Sequence, residues 1–105
     1  LEETIEVRLG RPAAAQGLEI FTRRPRLTAL TVVTSDPRNP LLRVVFGRTG
    51  EVVDVEILES SGVKDIDDPV VNAVFNWTAR GPALEKIRSD APEAGLRVTI
   101  RILLR

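Results

Sequence analysis

One alternation constrains this chain more than any other feature. On both sides of Thr49-Gly50, apolar residues recur at every second position: Leu42, Val44 and Phe46 before the turn, Val53, Val55 and Ile57 after it. That period puts successive side chains on opposite faces of a strand. With a two-residue turn at Thr49-Gly50, Arg48 faces Glu51, Phe46 faces Val53, Val44 faces Val55 and Leu42 faces Ile57. The last three pairs make one apolar face. The other face pairs Gly47 with Val52, Val45 with Asp54 and Arg43 with Glu56. A slip of one residue would mix the two sets, so the pattern specifies a register as well as a hairpin.

The residues after the hairpin narrow the fold further. Ser60-Ser61-Gly62 reads as a turn. Asp68 is the expected helix N-cap, with Pro69 at the first helical position and Asp65, Asp67 and Asp68 complementing the helix dipole. Val70, Val71, Val74, Phe75 and Trp77 form an apolar stripe, with Asn72, Asn76 and Arg80 largely outside it. Gly81 suits a left-handed C-cap and Pro82 prevents continuation. A short second helix is expected over residues 82–88 and a loop over residues 89–95. The chain then ends on a strand: Leu96, Val98, Ile100, Ile102 and Leu104 alternate with Arg97, Thr99, Arg101, Leu103 and Arg105.

The first 40 residues carry weaker signals. Residues 4–9 alternate and read as a short strand, residues 10–17 as a linker, and residues 18–22 and 27–34 as further candidate strands. Arg23-Arg24-Pro25-Arg26 reads as a solvated basic connection rather than an anion or headgroup site. Residues 35–40 hold two prolines and break the chain ahead of the hairpin.

Strand, strand, helix, strand predicts an α+β fold. The expected core is a fully antiparallel sheet of about three strands in the order second, first, last, with the helix on one face. The final strand is then a sheet edge unless the N-terminal segments cover it. One compact domain of 105 residues is expected, divided into an N-terminal extension over residues 1–40 and a β-β-α-β unit over residues 41–105.

Composition removes several functions. Fifteen basic and fifteen acidic residues cancel, so no global field favours nucleic acid or membrane. The charges are segregated: residues 51–68 hold seven acids and one lysine, while residues 96–105 hold three arginines and no acid. Cysteine, histidine and tyrosine are absent, which removes thiolate chemistry, the commonest general base and the commonest zinc ligand. Ser60 and Ser61 lack a nucleophile motif, and the aspartates lack calcium-loop spacing. No catalytic residue, metal site or cofactor is expected, and the protein is read as not an enzyme. No apolar run is long enough to span a membrane, and no signal peptide is expected within these residues.

The same residues carry a resemblance. Val44-Val45-Phe46 with Thr49-Gly50-Glu51-Val52, then Glu59-Ser60-Ser61-Gly62, is similar to the first hairpin and turn of the TonB C-terminal domain family. Ile66-Asp67-Asp68-Pro69 stands where that family carries a Leu-Asp pair, Trp77 where it carries a helix-terminal Trp, and Pro82 comes at a similar distance beyond. The resemblance covers residues 42–104. Ala79 replaces a usual aromatic, and Asn39-Pro40 replaces a Tyr-Pro pair. These are the marks of a divergent branch.

The resemblance implies a periplasmic protein-binding module of a TonB-like energy transducer. Its partner would be an extended segment of an outer-membrane transporter, captured by adding a strand to a sheet edge. The implied edge is Val98, Thr99, Ile100, Arg101, Ile102 and Leu103. An inner-membrane anchor and a proton-channel complex would be reached through a segment upstream of this chain. The alternative is a structural or assembly module of the cell envelope, in which the edge supports a homodimer without energy transduction.

Overall fold

The computed structural model describes residues 4–8, 11–15, 17–24, 36–47, 49–82, 84 and 95–104. The fold is mixed α+β: strands arranged in two sheets, with one long helix. The elements are β1 (Thr4–Arg8), β2 (Ala13–Ala15), β3 (Leu18–Phe21), β4 (Leu41–Phe46), β5 (Val52–Glu59), α1 (Lys64–Val74), β6 (Thr78–Arg80) and β7 (Leu96–Leu103).

The larger sheet runs β1-β7-β4-β5. It has four strands where about three are expected, and it is not fully antiparallel, because β1 lies parallel to β7. The smaller sheet runs β2-β3-β6 and is antiparallel. Residues 10–17, expected as a linker, therefore contain a strand. Residues 27–34 and 89–94 lie outside the described residues, as do most of residues 82–88, where a second helix is expected. Within that stretch, Leu84 donates its N–H to the Gly81 carbonyl at 3.1 Å.

The hairpin pairs Leu42 with Ile57, Arg43 with Glu56, Val44 with Val55 and Val45 with Asp54, as the alternation predicts. Nearer the turn the register differs. Phe46 pairs with Val52, not Val53, and Gly47 donates its N–H to the Glu51 carbonyl at 2.7 Å. The loop between Gly47 and Glu51 thus has three residues rather than two, closed by Gly50 N–H to the Gly47 carbonyl at 2.9 Å. The extra loop residue would shift the whole register. A β-bulge at Val53 compensates, leaving its side chain 54% exposed.

The helix also differs from expectation at both ends. It starts at Lys64, with Val63 as N-cap, so Asp68 and Pro69 lie inside it. Pro69 leaves the Asp65 carbonyl without its intrahelical partner. The turn ahead of the helix offsets this by holding Asp67 through hydrogen bonds from Ser60 and Ser61. The helix ends at Val74, and Phe75, expected inward, is 45% exposed. Trp77 lies beyond the helix, in the short link to β6, and Gly81 comes after β6 instead of capping the helix.

One core joins both sheets and the helix. From the larger sheet come Ile5, Val7, Leu42, Val44, Phe46, Val98, Ile100 and Ile102. From the smaller come Leu18, Ile20 and Ala79, and from α1 Ile66, Val70 and Val74. The N-terminal strands thus build the same core as the hairpin.

Candidate functional site

No catalytic constellation emerges from the described residues. Among them no group of three or more His, Cys, Asp or Glu is arranged to hold a metal. Of the acidic residues near the helix start, Asp67 acts structurally, while Asp65 and Asp68 are exposed. Asp67 is buried and accepts the Ser61 N–H at 3.0 Å and the Ser61 hydroxyl at 2.6 Å, with the Ser60 hydroxyl on its other oxygen. The Ser60 and Ser61 hydroxyls in turn accept the N–H groups of Gly62 and Val63. This network ties the turn to the first turn of α1. Among the described residues no buried side-chain polar atom is left without a partner.

Burial pushes the Asp67 carboxyl up, but hydrogen bonds from Ser60 and Ser61 outweigh it and hold the group below its ordinary value. The folded state therefore binds this proton less readily than the unfolded chain. The contribution is fully present above the unfolded value of about 3.9 and is lost as pH falls through the folded one. Asp67→Asn is expected to cost about 1–3 kcal/mol at neutral pH. It should also flatten the acid limb of a stability–pH profile measured by urea melts. An acid limb identical to the parent's would exclude Asp67 as its source.

The remaining candidates are the sheet edges. β7, the expected edge, is interior. Its residues from Leu96 to Arg101 pair with β4 on one side, and those from Thr99 to Leu103 pair with β1 on the other. Val98, Thr99, Ile100, Arg101, Ile102 and Leu103 are therefore brought together in one strand, as the sequence implies, but not on an open edge. The physical reason is β1 itself. Ile5 and Val7 sit opposite Ile100 and Ile102 and are buried, while Glu6 lies opposite Arg101. The C-terminal end of β7 is also clamped: Ile102 donates its N–H to the Pro40 carbonyl at 2.9 Å, and Leu104 its N–H to Asn39 Oδ1 at 3.0 Å.

On the outer face of this sheet, charges form a row. Arg43 contacts Glu56 at 3.3 Å and Arg101 contacts Glu59 at 3.1 Å. Glu6, Arg38, Asn39, Glu59, Ser60 and Arg101 line a polar cleft beside the β1–β7 seam. Both ion pairs are open to solvent, so each contributes little to stability.

The opposite edge is β5, which among the described residues pairs along its length with β4 alone. The expected order second, first, last also puts this strand at an edge; what sequence reasoning missed is that Val53 and Ile57, expected on the apolar face, are exposed there. Ile57 lies on the same face as its buried ladder partner Leu42, yet it is 39% exposed at the margin of the sheet.

Comparison with protein families, with curated proteins and with solved structures returns no match. Among the described residues no helix is long and apolar enough to cross a membrane.

Proposed function

We propose that this chain is a protein-binding module that captures an extended polypeptide by strand addition. In the TonB-like reading, the polypeptide is a segment of an outer-membrane transporter, met in the periplasm by a transducer anchored in the inner membrane. The observation that supports strand addition is the parallel pairing of β1 with β7. The chain's own N-terminal strand fills a slot where backbone groups supply affinity and two apolar side chains supply register.

The slot's occupant is weakly held. Ordering five residues costs about 5–10 kcal/mol in backbone entropy. Burying Ile5 and Val7 returns about 1.5–3 kcal/mol each, and the ladder's hydrogen bonds about 0.5–1.5 kcal/mol each. These terms nearly cancel, so an incoming strand of similar pattern would exchange with β1 at little net cost. Binding would then be reversible, as a transient mechanical coupling requires.

The test loosens β1 without touching β7. Val7→Ala with Ile5→Ala should raise the affinity of a transporter-derived extended peptide several-fold, read by titration, with circular dichroism monitoring the fold. A folded double variant that binds no better than the parent would overturn exchange at this edge. The alternative, an assembly or dimerisation module, draws on the same pairing, since β1 of one copy would also fit β7 of another. It predicts a stable dimer in sedimentation equilibrium that the same double variant dissociates.

A further inference from the structure

We infer that β5 and α1 form a second docking surface, independent of β7, for an extended segment that alternates apolar with basic residues. A groove between the two elements is lined by Val55, Ile57, Asp68, Val71 and Asn72. Val55 and Val71 are half-buried, Ile57 is exposed, and Asp68 and Asn72 stand at the rim. Its floor is apolar and one wall is a strand whose outer backbone edge has no ladder partner among the described residues. An added strand would satisfy that edge and place alternate side chains in the groove.

Charge decides the occupant. β5 carries Asp54, Glu56 and Glu59 and no basic residue. Glu56 and Glu59 are matched from the sheet's interior by Arg43 and Arg101, whereas Asp54 faces Val45 across the ladder. Side chains of an added strand that point away from the groove would lie beside Asp54 and Glu56. Basic residues there complete an alternation of charge across the sheet; acidic ones meet like charge. A second copy paired through β5 would set the two acidic rows together, so this edge disfavours self-association. The groove face, with Val55, Ile57 and Val71, selects apolar residues at every second position.

The experiment titrates the 105-residue chain with two eight-residue peptides, one alternating Val and Lys, the other Val and Glu, and tracks backbone amide shifts. The Lys peptide is expected to shift the amides of Val53 to Ile57 together with Val71 and Asn72, and to bind more weakly as salt is raised. The Glu peptide is expected to leave them unmoved. Asp54→Lys with Asp68→Lys, both exposed, should weaken the Lys peptide about tenfold without changing the circular dichroism spectrum. Equal binding of both peptides, shifts confined to β1 and β7, concentration-dependent pairing through β5, or absence of any shift would each overturn the proposal. Should the double variant lose its fold, the salt dependence of the parent decides alone.

Discussion

Trp77→Ala is expected to destabilise the protein by about 3–5 kcal/mol, the range for truncating a large buried aromatic. Trp77 is 1% exposed and belongs to the cluster that joins α1 to both sheets. It occupies the short link between α1 and β6, where its backbone N–H reaches the Val74 carbonyl at 3.0 Å. Its indole Nε1 donates to the Arg23 carbonyl at 3.2 Å, which ties the chain after β3 to the end of the helix. Truncation removes the ring's burial, leaves a cavity and strands that carbonyl. Urea melts should show the loss as a lower midpoint at unchanged slope. Trp77→Phe should cost less, because the ring volume is largely kept and mainly the indole hydrogen bond is lost. A loss below about 1 kcal/mol for the alanine variant would mean that the ring is not core.

Gly50→Ala is the second large effect, expected at about 2–4 kcal/mol. Gly50 has φ of 92°, a region that costs a residue with a Cβ about 1–3 kcal/mol. A Cβ there would also sit 2.0 Å from the Ala79 carbonyl oxygen. The approach is close because Ala79 donates its N–H to the Gly50 carbonyl at 2.8 Å, stitching the hairpin turn to β6. Relief of the clash would move β6 and so disturb its pairing with β3. Thermal melts should show a clearly lower midpoint, and amide exchange should speed up at Ala79. An alanine variant as stable as the parent would mean that the turn adjusts without moving β6.

These two sites mark how far local pattern reaches. That Trp77 packs inward is implied by its size and its place after an apolar stripe. That its indole needs Arg23 is not, since the two residues are 54 positions apart. Gly50 is legible as a turn glycine, but its contact with Ala79 depends on where β6 lies. The candidate site divides in the same way. The alternation of residues 96–104 correctly puts Val98, Ile100 and Ile102 inward, yet it carries no label for the strand alongside.

The sequence alone determined which faces are apolar and which hairpin residues oppose each other from Leu42 to Val45, because a period of two leaves only one register with a continuous buried face. Tertiary structure decided the rest. It placed β1 against β7 and so closed the expected edge, because backbone donors are alike at every residue and strand neighbours are chosen by the total core they bury. It began α1 at Lys64 despite Pro69, because the Ser60–Ser61–Asp67 network and the burial of Ile66 outweigh one missing hydrogen bond. It also left Val53 and Ile57 of β5 exposed, because a bulge turns Val53 out of the ladder and β5 has a strand neighbour on one side only among the described residues.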